Sequence, residues 1–414
     1  MVGDKVGDKM SDKIVEKLEY KTQIHTAWDG TEQRMALRSE PRRFVSYDYI
    51  GNETWQSQYL RMLTFGQQTQ RIQFPLWHAK CNLEIKQYKG QANITIPTSA
   101  LWGYRNIGSV MLWTDDRDGG VKYDIKYITA NGVIGLTKQL TSDWEAFSTV
   151  VVPVFYGVLQ QEDNYSNTHS NLSTMTINLE LLQNQNAPAF PPAWDEFHIE
   201  TTMRDTCPER GLPNTYMGAE VFKDEPPWID NIAANYSKNA NRLDNETGIF
   251  RFDLKSYDTA ETRQIKYMGI SRAEGYNFQR FFMRCKGMLK SFYAPTWMND
   301  LELAGDMPSG QIYLLVNFNM FWKYYAKSKR RRTIVIFYLN GTCEILKIAG
   351  YSIDDTGKYG KIYLENPLTH SLFKKQVAMI SFFCRYRFGN DALTIDHDTL
   401  EISTTDLNFV EVDE

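Results

Sequence analysis

Two stretches of this chain follow the same order of residue patterns 220 positions apart, and that recurrence limits the fold more than any other feature. Arg43 falls on Arg263, Tyr47 on Tyr267, Ile50 on Ile270, Pro75 on Pro295 and Trp77 on Trp297. Val45 and Met62 meet the conservative partners Ile265 and Phe282. Five identities in 35 positions carry little weight alone, but a second block aligns downstream at an offset of 228. There Ile134, Leu136, Leu140 and Thr141 fall on Ile362, Leu364, Leu368 and Thr369, and VVPVF (151–155) falls on MISFF (379–383). The growth in offset predicts a net insertion in the second copy, placed at a KYYAKSKRRRT hairpin (323–333).

Each copy opens with a strand pattern followed by a helix pattern. In RFVSYDYIG, Val45, Tyr47 and Tyr49 alternate with Ser46 and Asp48, the period of a half-buried strand. Trp55, Tyr59, Met62 and Leu63 then recur at helical spacing, as do Phe278, Phe281, Phe282, Cys285 and Leu289. Pro75 and Pro295 lack a backbone donor and end ladder pairing where the chain leaves the helix layer. Trp77 and Trp297 are expected to cover the seam between helix and sheet, with the indole N–H facing a polar edge. Short β patterns with turn signals fill 93–182, as in a small barrel or sandwich.

The expected fold is mainly β (α+β): two homologous units, each a strand–helix lead-in plus a small antiparallel β barrel or sandwich. The boundaries are a charged arm at 1–23, a first unit at 24–183, a Pro/Asn-rich extended connector at 184–247 and a second unit at 248–414. The arm reads as a solvated tail or as a segment ordered against a neighbour.

Chemistry is sparse. The chain has no Gly-x-Ser-x-Gly elbow, Walker loop, Gly-x-Gly-x-x-Gly or Cys-x-x-Cys. His78 and Cys81 lie three apart but lack a second pair to complete a zinc tetrahedron, so no metal, cofactor or catalytic residue is expected. DDRDG at 115–119 lacks the spaced ligands of a calcium loop. The net charge of −4 argues against nucleic-acid coating, and no apolar stretch is long enough to span a bilayer. Met1 opens onto Gly-Asp-Lys repeats, without the pattern of a secretory leader, and five scattered cysteines fit a reducing compartment. The one dense basic run, Lys327, Lys329, Arg330, Arg331 and Arg332, reads either as a solvated loop or as a docking surface for an acidic partner.

The lead-in, with Gln33, Arg34, Arg38, Pro41, Arg42 and Arg43 ahead of the strand, helix and Pro-x-Trp, resembles tail structural proteins of tailed bacteriophages. FYAPTWMNDLEL and ISFFCRYRFGNDALTI resemble the matching close, so the likeness runs from about 24 to 412. The resemblance implies a virion tail or baseplate protein, assembled in the bacterial cytoplasm and acting through protein interfaces. It further implies tail or baseplate partners and a homo-oligomeric ring of three, six or twelve copies. The alternative reading is a host-adsorption module binding cell-surface glycan. An envelope-degrading glycosidase ranks below both, because no carboxylate pair is marked.

Overall fold

Alternation along the first strand pattern survives in three dimensions, with Val45, Tyr47 and Tyr49 buried and Asp48 and Ile50 exposed. The computed structural model describes residues 10–413 apart from 28–29, 52–53, 67–68, 115–119, 160–163, 170–171, 184–186, 198–209 and 229. Among the described residues the protein is mainly β, with large antiparallel sheets.

The first half comprises β1 (Met10–Glu19), β2 (Thr22–Thr26), β3 (Glu32–Ala36), β4 (Arg42–Gly51), α1 (Thr54–Gly66), β5 (Arg71–Pro75), β6 (Cys81–Asn82) and β7 (Asn93–Thr95). It continues through β8 (Ser109–Trp113), β9 (Val121–Ile128), β10 (Val133–Leu136), β11 (Val150–Leu159), β12 (Asn164–His169) and β13 (Leu172–Leu181). Next come β14 (Thr215–Tyr216), β15 (Ala219–Val221), β16 (Ala233–Asp244), β17 (Phe250–Gly269), α2 (Arg272–Cys285), β18 (Phe292–Pro295), β19 (Tyr313–Val316) and α3 (Phe321–Tyr325). The chain closes with β20 (Thr333–Tyr338), β21 (Cys343–Ile353), β22 (Gly360–Leu364), β23 (Val377–Phe388), β24 (Ala392–His397) and β25 (Ser403–Glu411).

Eight of these strands form one continuous antiparallel run, in the order β16, β17, β25, β24, β1, β4, β13, β12. One apolar core lies under the first half, around Tyr47, Phe74, Ile134 and Leu179. Another lies under the second, around Tyr267, Phe282, Phe292 and Phe409. Burying each such side chain is worth about 1.5–3 kcal/mol, so each core outweighs any single polar contact. The α2 helix is fixed at both ends. Ser271 Oγ accepts from Glu274 N–H and the Glu274 carboxylate accepts from Ile270 N–H, a capping box. Lys286 and Gly287 then take the left-handed conformation that stops it.

Backbone pairs recur at the spacings read from the sequence. Ile94 lies opposite Ile134, and Leu314 opposite Ile362. Gln87 bridges to Trp144, and Met307 to Leu372. Gly90 N–H donates to Leu140 O at 2.9 Å, and Gly310 N–H to Leu368 O at 2.8 Å. In each comparison the first residue moves by 220 and the second by 228. One strand departs from this by a single residue. Pro75 faces Val154 whereas Pro295 faces Phe383, so VVPVF corresponds in the ladder to 380–384 and not to 379–383.

Three expectations need correction. Residues 1–9 lie outside the described residues, but 10–19 are no solvated tail. They form β1, hydrogen-bonded to β4 on one edge and β24 on the other, because Ile14, Glu16 and Leu18 alternate toward the interior. The connector is also more than extended chain. Its β15 pairs in parallel with β18, and its β16 edges β17. Finally, the offset between matching pairs grows at two places and not at one hairpin. Met111 faces Val152 as Val335 faces Ser381, so the offset reaches 224 after α3. The rest enters at the turn between β21 and β22, and the basic run follows α3 without forming a hairpin tip.

Candidate functional site: a buried charged junction

The strand β1 joins the two halves, and a carboxylate sits at the middle of that join. Glu16, only 1% exposed, accepts from the Arg43 guanidinium of β4. Its second oxygen accepts from Gln279 Nε2 of α2 at 2.8 Å and lies 3.2 Å from His397 Nε2 of β24. His78 Nε2 is 3.6 Å from the same oxygen, and the His78 and His397 rings stack with centroids 4.8 Å apart. Tyr47 O–H meets His78 Nδ1 at 3.0 Å.

Burial by itself would raise the Glu16 carboxyl, but Arg43 and the His397 hydrogen bond hold it well below the usual carboxylate range. For His78, burial and then His397 press the imidazole well below its ordinary value, so it stays neutral. Burial likewise pushes the Tyr47 phenol well up, which keeps its proton available to His78 Nδ1. The site therefore holds an ionised glutamate, a guanidinium and a neutral histidine.

Glu16, His78 and His397 bring their ligand atoms within 4.8 Å of one another. They fit a cation poorly, because Arg43 already neutralises the carboxylate and would repel a metal beside it. The arrangement is suited to clamping β1, β4, β24 and α2 together.

A second charged cluster lies in the other half. Arg263, 1% exposed, donates to Glu261 and to Thr296 O. Arg331 Nη2 reaches Glu261 at 2.7 Å, and its Nη1 reaches Glu411. An open cavity of about 450 Å³ beside it is lined by Tyr236, Arg263, Asp300, Tyr324 and Arg331, among others.

The chain matches no family model and no curated protein. Among the described residues no helix is long and apolar enough to cross a membrane.

The residues singled out from sequence divide clearly. Arg43 and Tyr47 belong to the junction, and Arg263 to the second cluster. Tyr267 O–H donates to Asp224 O at 3.1 Å. Pro75 and Pro295 lie in the equivalent ladders of β11 and β23. Trp77 meets Trp113 edge-on and Trp297 stacks on Phe337, both indoles fully packed. Neither indole N–H reaches a polar edge, and both are buried without a hydrogen-bond partner. Trp297 packs in a small cluster with Val335 and Phe383, away from the α2 core.

The basic run is not one surface. Arg331 is buried as a counter-ion, and Arg330 Nη1 donates to Glu411 O at 3.2 Å. Arg332 caps Ser328 O and Ala326 O, each at 2.8 Å. Lys329 N–H donates to Asp258, and Lys327 is the run's exposed cation with Lys329. Sequence reading missed the pairing of Glu16 with Gln279 and His397, which lie 263 and 381 residues away. His78 was noticed for Cys81, but Cys81 Sγ faces Tyr104 O–H at 3.2 Å instead. His198, Cys207 and the 115–119 turn lie outside the described residues.

Proposed function

We propose that this chain is a structural subunit of a bacteriophage tail or baseplate, built from two homologous β units and acting through protein–protein interfaces. The observation that carries the reading is the recurrence of backbone pairs at 220 and 228, down to Gln87–Trp144 and Met307–Leu372. Chance similarity of composition would not reproduce the same donor–acceptor pairs in the same order. A duplicated unit whose ladders persist while its surfaces diverge suits a subunit that presents related faces to several neighbours. The buried clamp at Glu16 supports a rigid pairing of the units, as a load-transmitting part requires. The Gln33–Arg43 lead-in supports the tail assignment. On this reading the partners are other tail or baseplate proteins and further copies in a ring.

The test is a protein inventory of purified virions from the virus that encodes the chain. The chain should appear at a fixed copy number divisible by three. Recovery only in the soluble fraction of infected cells would overturn the reading.

A further inference from the structure

The junction inside the chain is built from three kinds of contact. Strand β24 pairs with the free edge of β1. Trp102, on the 3-10 turn Thr98–Tyr104, is 5% exposed and donates its indole N–H to Gln279 of α2 at 2.7 Å. The hairpin β2–β3, which interrupts β1 and β4, reaches across to the second half. There Glu32 pairs with Arg387 at 2.7 and 2.8 Å, and Thr22 Oγ1 bonds Asp391 at 2.9 Å. Beneath this cover Tyr20 packs on Phe282 of α2.

Similar parts stand about 220 residues away (216 for the edge strand), and there several of the matching side chains are exposed. Trp322 of α3, in place of Trp102, is 44% exposed. On α1, Met62 is 69% exposed and Phe65 95%, where the corresponding Phe282 and Cys285 of α2 are 1% and 2%. Strand β16 edges β17 as β1 edges β4, with Ala234 opposite Arg263 as Leu18 is opposite Arg43. Its outer edge has no strand partner among the described residues, nor has that of β12. The distal part of the β16–β17 hairpin stands where β2–β3 stands, and it exposes Leu243, Ile249, Phe250 and Phe252. Apolar groups exposed at both ends of one sheet, in positions buried at its middle, mark interaction surfaces.

Resting on the two-unit reading, we infer that these two ends bind each other on successive copies of this chain. The first half of one copy docks its α1 and β12 against Trp322 and β16 of the next. The distal hairpin of that next copy closes over Met62 and Phe65, as β2–β3 closes over α2 within the chain. The internal junction argues for a second copy as occupant: it already joins a first half to a second half through a paired strand edge, an indole on a helix and a covering hairpin. The two faces differ, so the contact is heterologous; the ring proposed above requires that its repeated rotation close, since an open rotation gives a filament instead.

The test uses two full-length variants, Met62→Asp and Trp322→Asp, each at an exposed position and each checked for an unchanged melting profile. Native mass spectrometry of the unaltered chain at its highest soluble concentration should give one closed oligomer of three or more copies. Either variant alone should lose assembly and give the single chain. An equimolar mixture should give a 1:1 pair and nothing larger, because only one intact face of each kind remains. An unaltered chain that stays single, a two-fold dimer, variants that still assemble, or a mixture that does not pair would overturn the proposal. If the chain is found in virions while the variants still assemble, the docking surfaces are wrong and the tail reading stands. Absence from virions with the predicted pairing would do the reverse.

Discussion

Gln279 donates to the Glu16 carboxylate across 263 residues of sequence, and this hydrogen bond ties the helix of the second half to the strand that edges the first. Arg43, His78 and His397 surround the same two oxygens, so one side chain gathers groups from both halves at the join.

Replacing Glu16 with Ala should therefore cost about 3–5 kcal/mol, because it leaves the Arg43 charge and Gln279 without their partner in a buried setting. Urea denaturation with two probes, one in each half, measures it. A variant whose midpoint equals that of the unaltered chain would mean that the clamp holds nothing.

Stability should fall as pH falls below the ordinary histidine value of 6.5. His78 is pressed below that value in the folded chain, chiefly by burial, so the unfolded chain takes up the proton first. The stabilisation is complete above 6.5 and is lost progressively toward the lower folded value. Glu16 adds a second loss of the same sign, beginning near 4.5, because its folded value is also depressed. Urea midpoints from neutral to acid pH, compared with a His78→Gln variant, should show a shallower slope in the variant between 6.5 and 4.5. Equal slopes would remove His78 from the account.

The basic run should behave as two populations. Arg331→Ala removes the hydrogen-bonded counter-ion of Glu411 and one of the two of Glu261, and should destabilise by about 3–5 kcal/mol. Lys327→Ala should change stability by no more than about 0.5 kcal/mol, as exposed sites do. Thermal melts of the two variants decide this, and similar losses in both would contradict it.

Trp77→Ala and Trp297→Ala should each cost about 3–5 kcal/mol, as truncations of packed aromatics do. A melt indistinguishable from that of the unaltered chain in both variants would make the indoles surface groups and revive a ligand-stacking role.

What could be read from the residues follows the range of the forces involved. The strand at 42–51 and the helix at 272–285 were legible because periods of two and of about 3.6 are local. The strand β1 was not, because MSDKIVEKLE looks solvated until Arg43 and His397 are brought to Glu16. Arg331 was misread for the same reason, since its carboxylates lie 70 and 80 residues away. The orphaned indole N–H groups had no signal at all, because satisfaction of a donor depends on every neighbour in space.

If two homologous units alternate around a ring, the junction between copies repeats the junction within each copy. A side-chain-resolution image of the assembled oligomer tests it most directly. Trp322 should pack on α1 of the adjoining copy as Trp102 packs on α2, with twice as many equivalent units as chains. An oligomer that leaves Trp322, Met62 and the outer edge of β16 in solvent would contradict it.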